Sequence, residues 1–258
     1  MTLVVSDVSR FGIVMVGDSA VTAAAGVEDG AVKIQYAEAA NIGFALWGDA
    51  LVGKTYMDRW LAEFIQNQVP AGETVEDVGQ KLVATLNPIL AESGCPWSEM
   101  VRGIHLAGYR NGLPVLFHVH CGHEGEPPHE LRLYRDYPDD QGWSEAQFNE
   151  ILNKPDDFVH LRNGYFRHFA PLFSNILTYS VQIKALLNID FPYRSLEGRL
   201  DFYKTLVRFV ADVLAASREN PGVNERLSAI AFNEKGIRRN EILPFPATAP
   251  ASGKFAHY

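Results

Sequence analysis

The chain has 258 residues, of which 47% are hydrophobic and 21% are charged, and it carries a net charge of −8. This composition indicates a globular protein with a sizeable core, and the negative charge argues against nucleic acid or an anionic membrane surface as a partner. No basic N-terminal region precedes a long apolar run, and no segment reaches the ~20 apolar residues of a membrane helix, so we predict neither a signal peptide nor a membrane span.

The first half of the chain passes from strand patterns to helix patterns. Two pairs of apolar, β-branched runs predict two hairpins, residues 3–8 with 13–18 and residues 32–37 with 41–47. The apolar period then changes to that of a helix, which we expect to start at Asp49 and to end before Pro70. A second amphipathic helix is expected to start at Thr74 and to run to about residue 90.

The second half opens on a further hairpin, in which residues 101–109 and 114–120 flank the strong turn signal Asn111-Gly112. Residues 122–157 are rich in Pro, Gly, Asp and Glu, which predicts an irregular excursion, and a helical region is expected from about residue 158 to 218. A last hairpin, residues 226–233 with 237–243, completes a single domain over residues 1–243. The remaining residues, 244–258, are expected to form a flexible tail.

The order of these elements predicts an α+β fold. Strands joined by hairpins form antiparallel sheets, and helices that arrive in blocks cover the faces of those sheets. We therefore expect two antiparallel sheets stacked between two layers of helices.

The first motif is "GDALVGKT", residues 48–55, which matches the phosphate-binding loop G-x-x-x-x-G-K-[ST]. Such a loop needs a parallel strand before it, free backbone N–H groups, and a magnesium-binding aspartate at the end of a later strand. Here the preceding strand is expected to belong to a hairpin, and no later apolar strand ends in aspartate. These surroundings favour an ordinary helix start, with Lys54 and Thr55 as helix residues rather than phosphate ligands.

The second motif is "VGDSA", residues 16–20, which resembles the nucleophile block of GDSL esterases and would make Ser19 the nucleophile. Those enzymes also need an Asp-x-x-His near the C-terminus. The sequence "DFVH", residues 157–160, lies about a hundred residues too early for that role, and no block for an oxyanion hole follows. The alternative is that Asp18 and Ser19 end a strand.

The third constellation is "HVHCGH", which contains His118, His120, Cys121 and His123. These residue types suit zinc, and two of the histidines share one strand face. No second half of a zinc motif with standard spacing accompanies them, so a strand end is favoured over a metal site.

The N-terminus carries the pattern that involves most of the chain. Met1 is followed by the small residue Thr2, so methionine aminopeptidase is expected to expose Thr2 as the first residue. The chain resembles the proteasome β-subunit superfamily, above all its bacterial two-ring peptidases, in four stretches: residues 2–22, 30–34, 42–65 and 103–119. The resemblance implies a four-layer αββα sandwich, the fold of N-terminal nucleophile (Ntn) hydrolases.

The same resemblance implies a set of catalytic residues. Thr2 would be the nucleophile, with its own α-amino group as the base; Asp18 would be the carboxylate, Lys33 the lysine, and Gly48 the oxyanion donor. An α-amino group ordinarily has a pKa of about 7.7–8.0, so it can accept a proton near neutral pH, and a lysine ammonium lowers the pKa of the nucleophile–base pair. No cofactor or metal is implied.

The sequence departs from the family pattern in several places. Ala20 replaces a frequent arginine, and Leu46 and Trp47 are bulkier than the usual residues before the oxyanion glycine. A late serine and aspartate that steady the N-terminus are missing, unless Glu219 or Asn220 substitutes for the aspartate. These departures motivate the alternative of a catalytically inactive, structural ring subunit.

The resemblance also implies the partners. We expect a peptide or unfolded protein as substrate, a homo-oligomeric ring, and room for an ATPase or gating ring, with no nucleic acid or membrane. The two cysteines, Cys95 and Cys121, are too few for a disulfide framework and favour the cytoplasm.

Overall fold

The computed structural model describes residues 2–23, 26–94, 97, 102–122, 129–137, 142–154, 157–164, 170–176, 178–179, 182, 192–217 and 223–245. Within these ranges, no helix has the length and apolar character needed to cross a bilayer. Of the tail predicted over residues 244–258, only residues 244–245 are described, and the rest lies outside the described residues.

The first sheet has five antiparallel strands. They are β1 (Leu3–Ser9), β2 (Gly12–Asp18), β12 (Val159–Gly164), β13 (Leu227–Asn233) and β14 (Gly236–Glu241). Their order across the sheet is β12-β1-β2-β13-β14. Because β1 and β2 form a hairpin, the start of β1 lies beside the end of β2, and Val4 is paired with Gly17.

The second sheet also has five antiparallel strands. They are β5 (Ile34–Ala37), β6 (Ile42–Gly48), β9 (Arg102–Arg110), β10 (Leu113–His120) and β11 (Arg132–Tyr137). Their order is β11-β10-β9-β6-β5. Two small hairpins complete the strands: β3 (Ala20–Ala23) with β4 (Gly26–Asp29), and β7 (Leu51–Val52) with β8 (Thr55–Tyr56).

Four helices have described bounds: α1 (Met57–Gln68), α2 (Val75–Glu92), α3 (Glu145–Asn153) and α4 (Leu196–Ser217). A short 3₁₀ helix, Pro192–Arg194, precedes α4, and residues 170–176 are helical. Thr74 caps α2 by accepting the N–H of Asp77 on its side chain, which satisfies one of the orphan donors of the first turn.

Three buried apolar clusters divide the molecule into layers. One packs α1 and α2 on the second sheet, and another packs α4 on the first sheet. The third lies between the sheets and includes Val4, Met15, Ile34, Leu116 and Phe232. Since side chains of a strand alternate between its faces, Leu3 and Val5 face α4 whereas Val4 faces the other sheet. The expected α+β, four-layer αββα sandwich of two antiparallel sheets is confirmed.

The helix expected to start at Asp49 instead starts at Met57. Residues Leu51–Tyr56 form the hairpin of β7 and β8, whose turn contains Gly53 at φ +58°. A glycine in the left-handed region favours a turn over a helix. Val52 is 2% exposed, and a buried apolar residue at this position fits a helix as well as a hairpin. The apolar periodicity therefore placed the start of the helix too early.

The segment after the third hairpin contains more regular structure than predicted. The excursion predicted over 122–157 contains β11 and α3 within its described parts. The helical region expected from about residue 158 begins instead with β12, which pairs with β1 along its whole length. Val159 and Leu161 pack against the core between the sheets while His160 between them does not, and this period of two is typical of a strand.

Candidate functional site

An ion pair is buried where the starts of β1 and β5 meet the end of β2. Lys33 Nζ lies 2.9 Å from Asp18 Oδ1, and the two side chains are 6% and 0% exposed. The same oxygen accepts the backbone N–H of Leu3 at 2.8 Å, and Oδ2 accepts the N–H of Ala20 at 3.0 Å. The carboxylate therefore ties the lysine to the first strand immediately after Thr2.

Burial has a direct electrostatic effect on Lys33. Removal from water lowers the pKa of its ammonium group, and the negative charges of Asp18 and Asp58 oppose that change. Asp18 is the one hydrogen-bond partner of Nζ among the described residues. An ammonium group has three N–H donors, so two remain for other groups at this end of the sheets.

Thr2 precedes β1 and is 5% exposed. The N–H of the next residue, Leu3, is fixed on Asp18, so the Thr2 backbone is held beside the ion pair. Three of the four residues predicted for the site, Thr2, Asp18 and Lys33, are therefore brought together by the β1–β2 hairpin and the start of β5.

Gly48 ends β6 at φ +87°, a conformation that favours glycine. The N–H of Leu46 donates to the carbonyl of Lys33 at 2.8 Å. Because N–H groups alternate sides along a strand, the N–H of Gly48 points to the same side as that of Leu46, past the start of β5. The fourth predicted residue thus presents its N–H at the end of the sheet that carries Lys33.

Arg102, the register partner of Gly48 on β9, holds the loop that follows Gly48. Its Nη1 donates to the carbonyl of Leu51 at 2.6 Å, and its Nη2 donates to Asp49 Oδ2 at 3.2 Å. The guanidinium is nearly buried, whereas the Asp49 carboxylate is 43% exposed. A planar fork of donors suits such a double contact, and it fixes the course of the chain after Gly48.

The structure does not favour the phosphate-loop interpretation. β6 is hydrogen-bonded to antiparallel neighbours on both sides, whereas the motif needs a parallel strand. Lys54 and Thr55 are exposed and lie in the β7–β8 hairpin, not in the first turns of a helix. The expectation that they are helix residues is wrong. Because these residues form a hairpin, the segment is also not a phosphate-binding loop that joins a strand to a helix.

The GDSL interpretation fails on geometry. In the strand register, Asp7 of β1 lies opposite His160 of β12 on one side and opposite Val14 of β2 on the other. His160 and Val14 are therefore at the same height in the sheet. Ser19 lies five residues further along, which at ~3.4 Å per residue is about 17 Å away. The hydroxyl of Ser19 instead contacts Asn224 Oδ1 at 3.3 Å, and its backbone N–H donates to the same oxygen at 3.1 Å.

The histidine cluster lies between the sheets beside Trp47. The rings of His105 and His118 are 4.9 Å apart, those of His118 and His120 are 4.4 Å apart, and His118 Nε2 accepts the indole N–H of Trp47 at 2.8 Å. Among the described residues no group of three His, Cys, Asp or Glu is arranged to hold a metal ion. His123 lies outside the described residues.

Three contacts escaped the sequence reasoning. Asn224 holds the chain just after Asp18, because its side chain accepts the backbone N–H of Ser19. Glu219 and Asn220, which were considered as supports of the N-terminus, lie outside the described residues. Asp58 accepts the N–H of Val32 at 2.9 Å. Arg102 holds the loop after Gly48. The sequence did contain a signal for Asp58, because an ionisable side chain next to the buried residues of α1 is expected to have a polar partner.

No family model and no curated protein matches this chain. Two similar solved structures are an Anbu (Gly-1) mutant from Hyphomicrobium sp. strain MC1 and Anbu (ancestral beta-subunit) from Yersinia bercovieri. The first is 10% identical to this chain with a TM-score of 0.56, and the match covers 93% of this chain and 86% of the Anbu chain. The second has 12% identity and a TM-score of 0.55, and covers 93% and 87%.

These comparisons correct the family predicted from the sequence. Membership of the proteasome β-subunit superfamily is wrong as an assignment, because no family model matches and the neighbours carry the name Anbu at 10% and 12% identity. Identities this low establish the fold alone. The chain therefore has the αββα fold of Anbu, and its chemistry must be argued from its own residues.

Proposed function

We propose that this protein is an N-terminal nucleophile hydrolase of the threonine type that cleaves peptide bonds. The observation that carries the proposal is the buried contact of Lys33 with Asp18, whose Oδ1 also accepts the N–H of Leu3 and so fixes Thr2 beside the lysine. A nucleophile needs an activating base and an oriented charge nearby, and this arrangement supplies both once Met1 is removed.

In the proposed reaction, Thr2 Oγ attacks the carbonyl carbon of the scissile bond and its proton passes to the α-amino group of the same residue. The oxyanion that forms accepts the N–H of Gly48, and the positive charge of Lys33 stabilises the reacting pair. The C–N bond then breaks, and the leaving amine takes the proton from the α-ammonium group. Water, deprotonated by the α-amino group, hydrolyses the ester and restores the hydroxyl of Thr2.

The proposal includes a homo-oligomeric ring in the cytoplasm. The similarity of the fold to a protein described as an ancestral beta-subunit supports assembly with further copies. The substrate would be a peptide or an unfolded protein chain. An ATPase or gating partner would bind the ring rather than the isolated subunit.

A kinetic experiment tests the proposal. Hydrolysis of fluorogenic peptides by the purified protein should be abolished by Thr2→Ala and retained by Ser19→Ala, since the hydroxyl of Ser19 contacts Asn224. Activity kept in Thr2→Ala and lost in Ser19→Ala would indicate that Ser19 is the nucleophile. Absence of activity in the wild type, with Met1 removed, would leave the inactive structural subunit as the function.

A further inference from the structure

We propose that Asp58, in the first turn of α1, is a positioning residue that holds the chain at Lys33 in place and sets a negative charge near its ammonium group. The inference rests on the proposed function in one respect only, the role given to Lys33.

The contacts of Asp58 reach the segment that carries Lys33 and leads into β5. Its Oδ2 accepts the N–H of Val32, the residue before Lys33, at 2.9 Å. Its backbone carbonyl accepts the side-chain amide of Gln35 at 2.5 Å, and the same amide reaches the carbonyl of Val32 at 3.3 Å. Asp58 thus holds the backbone before Lys33 at Val32 and the side chain of Gln35 after it.

The side chain of Asp58 is bound in a single orientation. While Oδ2 contacts Val32, Oδ1 accepts the N–H of Arg59 at 2.8 Å, and the residue is only 8% exposed. A carboxylate used solely to cap its own helix would have no contact with another layer of the fold. The contact with Val32 links the α1 layer to the sheet at the residue before the lysine.

The charges around Lys33 give Asp58 an electrostatic role as well. Among the described residues, the charged groups that act on Lys33 are Asp18 at the end of β2 and Asp58 on α1. Burial disfavours the charged ammonium form and lowers its pKa, whereas both carboxylates favour that form and raise it. Removing the charge of Asp58 must therefore lower the pKa of Lys33 further.

The test compares Asp58→Asn with the wild type in the full chain. Asparagine keeps an oxygen that can accept the Val32 N–H but has no charge. The Lys33 side chain is followed by NMR in protein labelled at lysine, with Lys33→Arg used to identify its resonance. We expect the pKa of Lys33 to be lower in Asp58→Asn than in the wild type, because one of the two negative charges that favour its charged form is removed. The basic limb of kcat/KM should move to lower pH in the same variant.

Glu63→Gln is the matched control, because it removes one negative charge from an exposed position of the same helix; it should leave the Lys33 titration unchanged. If Asp58→Asn does not fold, Asp58→Ser carries the same test with a hydroxyl acceptor. An unchanged Lys33 pKa in the folded variant would overturn the inference. The titration requires no turnover, so an inactive wild type would contradict the proposed function without deciding the role of Asp58.

Discussion

Lys33 and Asp18 form a buried ion pair in which one carboxylate oxygen also holds the backbone of the first strand. The oxygen Oδ1 accepts from Lys33 Nζ at 2.9 Å and from Leu3 N at 2.8 Å. The pair is thus both an electrostatic element of the candidate site and a support for the position of Thr2.

Asp18→Asn should abolish hydrolysis and destabilise the fold. It leaves the Lys33 ammonium buried without its partner, which typically costs about 3–5 kcal/mol of folding free energy. Urea denaturation at neutral pH measures the change. Asp201→Asn is the matched control, because the exposed pair of Asp201 with Arg239 is expected to contribute less than about 1 kcal/mol. Equal losses in the two variants would contradict the central role of the buried pair.

Substitutions of Lys33 and of Lys54 distinguish the hydrolase interpretation from the phosphate-loop interpretation. Lys33→Ala should reduce kcat by at least about a hundredfold, since it removes the charge proposed to assist the nucleophile. Lys54 is exposed in the β7–β8 hairpin, so Lys54→Ala should leave kcat/KM within about twofold. A comparable loss in both variants would revive the phosphate-loop interpretation, and measured binding of a nucleotide would support it.

Gly48→Ala should lower activity more than stability. A side chain at φ +87° is strained, by about 1 kcal/mol, and the strain displaces the N–H proposed to bind the oxyanion. Gly94→Ala is the matched control, since Gly94 has φ +71° and no atom within 4 Å of an added Cβ. The two variants should lose similar stability, whereas only Gly48→Ala should lose kcat. Similar kinetics in the two would argue against Gly48 as the oxyanion donor.

Stability should fall as the pH is lowered from about 7 to 4. Burial lowers the pKa of His105 and of His160 from 6.5 to about 4. The unfolded chain therefore binds protons first, so this stability is fully present above pH 6.5 and is lost as the pH falls towards 4. At pH 5 each histidine should account for about 2 kcal/mol of the loss.

His105→Gln tests that contribution. Glutamine does not titrate, and it can contact Ser6 or Asn163, the hydrogen-bond partners of the imidazole. The variant should therefore lose less stability between pH 7 and pH 5 than the wild type, as measured by urea denaturation at each pH. An identical pH dependence in variant and wild type would show that His105 is not responsible.

Much of the fold was readable from the sequence because its patterns are local. The hairpins built on β1–β2, β9–β10 and β13–β14 follow from alternating apolar residues and short turns. The edge strand β12 was missed because its strand state depends on pairing with β1, some 150 residues away in the chain, and long-range pairing overrides local propensity.

The candidate site was predictable to a lesser degree. The family resemblance implied that Thr2, Asp18 and Lys33 share one site, and in the structure the backbone after Thr2 and the side chain of Lys33 both contact Asp18. The supports escaped prediction, because the contacts of Asp58 with Val32 and of Arg102 with Leu51 join different layers or loops. No spacing rule along the chain encodes such contacts.

The most direct test of the central claim is the intact mass of the purified protein before and after treatment with an epoxyketone peptide, followed by mapping of the adduct. The account predicts a protein that starts at Thr2 and gains one inhibitor at that residue, with no gain in Thr2→Ala. Retention of Met1 would lock the α-amino group of Thr2 in a peptide bond, and it would contradict the proposed mechanism, as would an adduct at any other residue.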